Sequence, residues 1–335
     1  MVINLKSTYK SAGVDINEGN EAVERIKDLA KSTFDKNVLS DIGLFGAFYR
    51  LDIKKYSDPV LVSSVDGVGT KLKIAFAMKK HDTIGQDLVN HCVNDIAVCG
   101  ALPLFFLDYM AFGKLDINIS TEIVKGFTVA CKQNNCSLIG GETAEMPGLY
   151  QHDEYDLSGT IVGIVEKSEI IDGKNIQRGD VIIGISSNGL HTNGYSLARK
   201  VLLGKYELDQ HIKVLGTNLG DELLKIHKSY LKLINTLKSN ISIKGMAHVT
   251  GGGINGNISR IIPQGMNAKI QWGNWDQPAI FNLIQESGDI DNTEMRKAFN
   301  VGIGLAVIIP REQEELAFQL ILEMKEHPLI IGEIE

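Results

Sequence analysis

The stretch Val60-Leu61-Val62-Ser63-Ser64-Val65-Asp66-Gly67-Val68-Gly69-Thr70-Lys71 carries an apolar run into an acid and a glycine-broken turn. The run reads as a buried strand whose end delivers one carboxylate, several bare backbone amides and a lysine. A carboxylate in that place can hold Mg²⁺, glycine amides can approach a phosphate closely, and a lysine can neutralise developing charge. The spacing is not that of a Walker A loop, which needs four residues between its first glycine and Gly-Lys-Ser/Thr. A tight hairpin would use the same glycines, so the turn alone leaves both readings open.

The clearest helix follows, over Thr83 to Gly100. Leu88, Val89, Cys92, Val93 and Ile96 form its apolar arc, with Gly100 as a stop. At 100° per residue, Asp87, Asn90, His91, Asn94 and Asp95 fall on the other side. A solvated face would carry Lys, Glu or Arg; these short acids and amides with one histidine suit coordination or hydrogen bonding better. Upstream, Ala22, Val23, Ile26, Leu29 and Ala30 mark a helix with Asn20 as its cap. Downstream come apolar strands at 104–107, 137–139 and 157–165, with a helix bearing Ile123, Val124, Phe127 and Ala130 between the first two. This alternation indicates an α/β or α+β domain. The polar stretch Glu166 to Asp180 is the domain boundary. The second half restarts with a strand at Val181–Ile185, helical patterns at Tyr195–Leu203 and Gly220–Leu237, and strands at Ile243–Val249 and Val301–Ile309.

Length agrees with this division, because 335 residues exceed what one core usually serves. A formal net charge of −7 without a Lys/Arg cluster argues against a nucleic-acid partner, so an anionic ligand needs local help from amides, Mg²⁺ or single cations. Leu102–Phe112 contains Pro103 and Asp108 and is too short to span a bilayer. The first residues lack the apolar core of a signal peptide, and a cytoplasmic protein without membrane contact is expected. The four cysteines, Cys92, Cys99, Cys131 and Cys136, show no Cys-x-x-Cys spacing and no zinc-site pattern.

Two more polar clusters sit at strand ends. Gly140-Gly141-Glu142-Thr143-Ala144-Glu145-Met146-Pro147-Gly148 places two acids beside paired glycines, where surface acids on a turn are the plain alternative. Ser186-Ser187-Asn188-Gly189-Leu190-His191-Thr192-Asn193-Gly194 reads as a ligand loop, with His191 as the proton-transfer candidate. Gly251-Gly252-Gly253-Ile254-Asn255-Gly256 satisfies the dinucleotide pattern, but Pro263 leaves room for only about two helical turns after it. A Rossmann unit is therefore excluded, and a backbone-amide nest for phosphate is what remains.

Taken in order, these strings resemble the phosphoribosylformylglycinamidine cyclo-ligase family, also called aminoimidazole ribonucleotide synthetases. The similarity includes Tyr9-Lys10-Ser11-Ala12-Gly13-Val14-Asp15, the Asp66–Lys71 turn, Cys92-Val93-Asn94-Asp95, Pro103–Tyr109 and Gly140–Gly148. It continues through His191-Thr192-Asn193-Gly194-Tyr195, His248-Val249-Thr250-Gly251-Gly252-Gly253 and Phe299–Gly304. It runs almost end to end, with the family's usual tail a few residues longer. The resemblance implies a two-domain PurM-like fold of class α/β (α+β), shared with formylglycinamidine synthetase, selenophosphate synthetase and thiamine-monophosphate kinase. In it, an N-terminal ATP-binding and dimerisation domain (1–168) pairs its sheet across a homodimer into a barrel. The C-terminal domain (169–335) is a mixed sheet flanked by helices. The kinase relative carries acids where this chain has Thr250–Gly253, which leaves metal binding mainly to N-terminal carboxylates.

The activity implied is ATP-driven closure of formylglycinamidine ribonucleotide to aminoimidazole ribonucleotide. On this reading Asp66 and Asp95 hold Mg²⁺, and Asn94 orders the metal shell. Gly67, Gly69, Thr70 and Lys71 cradle the ATP phosphates, and Lys10 closes over the nucleotide. His191, Asn193 and Glu142 contact the substrate, His191 takes the proton lost at cyclisation, and Gly251–Gly253 hold the ribose phosphate. The alternatives are another small-molecule kinase or synthetase of the superfamily and a non-catalytic nucleotide-binding regulator. Selenophosphate synthetase would want a reactive Cys or Sec near the N-terminus, and the first cysteine here is Cys92.

Overall fold

The run at 60–65 belongs to an outer strand of a four-stranded sheet in a computed structural model that describes residues 16–335. Lys10 and the segment 9–15 lie outside the described residues. Helix α1 (Ile16–Lys31) leads to β1 (Pro59–Gly67), whose residues alternate between exposed and partly buried. Residue 20 lies inside α1 rather than capping it. The turn after β1 is not a hairpin: residues 69–71 wind a 3₁₀ turn into α2 (Leu72–Met78). Then follow α3 (Asp82–Ala97), β2 (Leu102–Phe112), α4 (Ile117–Gln133), β3 (Ser137–Glu145) and β4 (Tyr155–Glu166). The strand order is β1-β4-β2-β3, with β2 and β3 parallel and the other pairs antiparallel. Gly140–Glu145, read above as a strand-end cluster, continues β3 itself.

The apolar arc of α3 is buried as expected, with Leu88, Val89, Cys92 and Val93 inaccessible. Its first turn meets α4 so closely that a Cβ on Gly85 would stand 2.2 Å from the Ile123 carbonyl oxygen, and one on Gly126 2.4 Å from that of Asp82. The two helices cross backbone to backbone, which only glycine permits. The opposite sheet face stays open, with Leu61, Val65, Leu102 and Tyr109 exposed.

The second half forms a five-stranded sheet of order β8-β10-β5-β11-β9. Its elements are β5 (Val181–Ser186), α5 (Tyr195–Leu202), a ribbon of β6 (His211–Ile212) and β7 (Thr217–Asn218), α6 (Leu219–Leu223), α7 (Leu231–Lys238) and β8 (Gly245–His248). They continue with α8 (Gly253–Ile258), β9 (Ala268–Ile270), α9 (Ala279–Gly288), α10 (Asn292–Ala298), β10 (Ile303–Ile309), α11 (Glu314–Glu323) and β11 (Pro328–Ile334). Every residue of β10, which lies between β8 and the central β5, is buried. Its pairings are all antiparallel, so the mixed sheet is the N-terminal one, contrary to expectation.

The helical pattern at 220–237 is interrupted: α6 stops at Leu223 and α7 starts at Leu231. The backbone groups freed between them receive the polar side of α3. Asp87 Oδ1 accepts the His227 amide (2.7 Å), and Asn90 Nδ2 donates to the His227 carbonyl (2.7 Å). Asn94 Nδ2 donates to Lys228 O (2.8 Å), while its Oδ1 accepts the Tyr230 amide (2.8 Å). Lys71 completes the seam. Fully buried, its ammonium lies 2.8 Å from Asp87 Oδ2 and donates to Lys225 O (2.7 Å) and His191 O (3.3 Å). Burial pulls the lysine pKa down and pushes that of the aspartate up, while each partner's charge opposes the shift.

Removing one partner of such a pair strands a buried charge at a cost of about 3–5 kcal/mol. Lys71→Met is therefore expected to lose about that much stability in urea unfolding, and Lys71→Met/Asp87→Asn distinctly less than the two single losses summed. Additive losses would show that the two groups act independently.

Candidate active site at the domain seam

The remaining polar residues of the α3 face, His91 and Asp95, turn toward the end of β1. On β1, Ser64 and Asp66 share a face by the two-residue strand period. Asp66 Oδ2 lies 2.8 Å from His91 Nε2, and its Oδ1 accepts the Gly67 amide (2.7 Å). Asp95 Oδ1 lies 2.8 Å from His248 Nδ1, and Oδ2 accepts the Ser64 hydroxyl (3.0 Å). Partial burial works to raise both carboxyls, but the histidine behind each one outweighs it and holds both below the usual range. Both acids keep a route to solvent, with side-chain exposures of 37 % and 29 %. Of the two residues expected to bind metal, Asp66 thus stands at the end of β1 against His91, and Asp95 is bonded to Ser64, two residues before Asp66.

Behind them the histidines form a continuous buried array. His91 Nδ1 contacts the Thr192 hydroxyl (2.7 Å), which lies 3.3 Å from His227 Nδ1. His227 Nε2 stands 2.9 Å from His248 Nε2. His191 stacks on His227 with ring centroids 4.1 Å apart, and neither of its ring nitrogens has a partner among the described residues. Burial drives His191 and His227 well below the ordinary histidine pKa and lowers His248 as well. Against burial, which would lower it, His91 is raised by the Asp66 carboxylate. The site therefore pairs ionised acids at its mouth with neutral imidazoles at its base.

The loop that presents His191 is tightly held. Asn300 accepts from the Ser187 hydroxyl (2.9 Å) and the Gly302 amide (2.9 Å), and donates to the Gly189 carbonyl (2.9 Å). His191 itself sits at φ +61, a conformation that costs a non-glycine residue energy and often marks functional positions. The ring fits only because Gly304 on β10 has no side chain: a Cβ there would lie 2.0 Å from Tyr230 Oη and 2.7 Å from His191 Cε1. Asn193 follows in the same loop, beside Gly251, with a buried Nδ2 that has no partner among the described residues.

Several expectations change. Lys71 is locked in the seam and does not face the turn, because Asp87 and two carbonyls bind it more completely than an exposed phosphate site would allow. Asn94 is buried against the 228–230 backbone, so it docks the domains and does not order a metal shell. Gly69, at φ +68, and Thr70 remain exposed at the turn, Thr70 touching Ser196 (2.9 Å), whereas the Gly67 amide is taken by Asp66. Glu142 is exposed on β3, the far edge of the sheet from β1, and is not brought to His191. It lines a separate cavity of about 780 Å³ with α1, residues 41–47, Leu107 and Asp108. Partial enclosure lifts the Asp108 carboxyl to about 7. The glycine nest is not open: the Gly252 and Gly253 amides donate to the Lys297 and Thr250 carbonyls (3.1 Å each), and α8 has six residues. His227 was missed. It lies within what reads as a helix, and no spacing connects it with His91, His191 and His248.

A model of the AIR synthase related protein N-terminal domain matches residues 46–165, and one of the C-terminal domain matches 177–335. The chain is 55 % identical to a phosphoribosylformylglycinamidine cyclo-ligase of Thermoanaerobacter pseudethanolicus, over 97 % of each chain. It is 54 % identical to one of Thermodesulfovibrio yellowstonii, over 92 % of this chain and 90 % of the relative. Among solved structures, a thiamine-monophosphate kinase from Stenotrophomonas maltophilia superposes with TM-score 0.69 at 17 % identity, covering 93 % of both chains. Hydrogenase maturation protein HypE in complex with ATP superposes with TM-score 0.67 at 17 % identity, over 94 % of this chain and 86 % of that one. These two likenesses speak for the fold alone, but the first two carry sequence identity over nearly the full length. The chain belongs to the AIR synthase related family and, within it, to the phosphoribosylformylglycinamidine cyclo-ligases.

Proposed function

We infer that the protein is an ATP-dependent ligase of purine biosynthesis that closes formylglycinamidine ribonucleotide to 5-aminoimidazole ribonucleotide, releasing ADP and phosphate. The observation that carries this reading is the identity above one half, across nearly the whole chain, to cyclo-ligases. The site supports it chemically. An amide oxygen is a poor leaving group; phosphorylating the formyl oxygen gives an iminophosphate, and the amidine nitrogen then bonds to its carbon and expels phosphate as the ring closes. Such a reaction asks for positioning, charge neutralisation and an acceptor for one proton.

Asp66 and Asp95 fit a hard, oxygen-seeking cation: both are ionised, partly solvent-facing and oriented by histidines. They would hold Mg²⁺, which when bound neutralises charge on the ATP phosphates. Gly69 and Thr70 face the phosphates at the open turn, and the cavity beside Glu142 has the volume of a nucleoside site. His191 accepts the proton lost at cyclisation, and Asn193 orients the substrate with its free amide. The ring of His191 is suited to this because burial keeps it neutral. Lys10 remains assigned to closure over ATP. The protein acts in the cytoplasm as a homodimer whose open sheet faces pair, covering Leu61, Val65, Leu102 and Tyr109.

Release of ADP that depends on the formylglycinamidine substrate is the direct test; a regulator would release none, and a kinase of another substrate would ignore this one. Asp66→Asn is expected to weaken Mg·ATP binding, and unchanged affinity would remove Asp66 from the metal. His191→Ala should abolish ring closure with ATP binding intact. Because the folded-state pKa of His191 is depressed, its neutral form persists as pH falls through about 6.5. The single-turnover rate of ring closure should therefore hold through that value, whereas an acid limb at or above it would point to another base. Leu61→Glu/Val65→Glu should leave a folded monomer in sedimentation; a dimer unchanged by both acids would place the interface elsewhere.

A further inference from the structure

Four of the chain's eight histidines converge in the seam, and the proposed proton transfer uses only one of them. His191, His227 and His248 are all buried, and each offers a ring nitrogen within 4.8 Å of the others. His191 is 1 % exposed, yet both its ring nitrogens lack a partner among the described residues. An orphaned buried polar group is costly, so its retention needs a reason.

The surroundings are those of a metal-ligating imidazole set. His248 Nδ1 donates to the Asp95 carboxylate, which fixes the tautomer and points the Nε2 lone pair inward. His227 Nδ1 faces the Thr192 hydroxyl, which can accept its proton and leave Nε2 as a ligand. His227 Nε2 and His248 Nε2 are already 2.9 Å apart, sharing a hydrogen where a cation can take its place. Among the described residues the His191 ring stacks on His227 and makes no hydrogen bond, so no polar contact is lost when it turns to complete the set. The neighbouring group of His91, Asp95 and His248 has no such freedom, because His91 is bonded at both nitrogens and His248 Nδ1 is bonded to Asp95.

We propose that His191, His227 and His248 bind one borderline transition ion of the zinc class, at a site distinct from the oxygen-ligated Mg²⁺ position at Asp66 and Asp95. Three imidazoles select Zn²⁺, Co²⁺ or Ni²⁺ over Mg²⁺ and leave a fourth position for water. The partly exposed Asp95 is the surface end of the approach. Occupancy takes the lone pair with which His191 accepts a proton and so silences ring closure; this clause alone rests on the function proposed above.

The full-length protein is titrated with Co²⁺ in excess Mg²⁺. One Co²⁺ per chain is expected, with the intense visible absorption of a four-coordinate ion, lost on adding Zn²⁺. His227→Gln should weaken Co²⁺ binding more than about 100-fold, beyond the 10–100-fold of second-shell losses. His191→Ala, which breaks no hydrogen bond of its ring, should do the same if His227→Gln fails to fold. A weak six-coordinate spectrum, or a strong one that survives these substitutions, overturns the site. A bound Co²⁺ that leaves turnover intact confirms the site and removes His191 as the proton acceptor.

Discussion

The polar side of α3 bonded to the backbone of residues 225–230 is the constraint on which the rest depends. Side-chain amides and an acid from one domain satisfy main-chain groups of the other, and these groups exist only because the helix between α6 and α7 is broken. Each such bond is worth little net, but losing one would leave a buried group unsatisfied. The two domains therefore behave as a single body along this line, and rotation about the seam would break several bonds at once. Any closure over ligands has to come from segments outside it.

The same helix divides labour along its length by angle. Asp87, Asn90 and Asn94 hold the domains together; His91 and Asp95, on the adjoining stripe, meet Asp66, His248 and Ser64. Because docking fixes the helix, Asp66 and Asp95 meet their histidines at fixed distances without help from a ligand. Preorganisation of this kind suits phosphoryl transfer, where the protein contributes placed charge more than covalent chemistry.

Much of this was legible in the residues. The apolar arc of α3, the strand ending in Asp66, the acids at 66 and 95 and the loop around His191 were all readable from periodicity and residue type. What could not be read was direction across the chain. Lys71 beside glycines looks like a phosphate ligand until Asp87 and the Lys225 carbonyl claim it. Asn94 beside Asp95 looks like part of one site until the break at 225–230 supplies it with partners. His227 carries no local signal, since its partners come from positions 192 and 248. The nest at 251–253 has the right composition, yet its amides are consumed by carbonyls, one of them from as far away as Lys297.

The bare strand position at Gly304 sets a gauge for this site. Tyr230, from the segment that docks α3, and His191, from the loop after β5, both occupy the space of the one missing methyl group. Two elements that never touch in sequence are thus registered against the same atom-sized gap in β10. A change there would be transmitted to the seam and to the His191 ring together. It follows that domain docking and the poise of His191 are not separately adjustable, and evolution toward a new substrate on this scaffold must proceed around that position instead of through it.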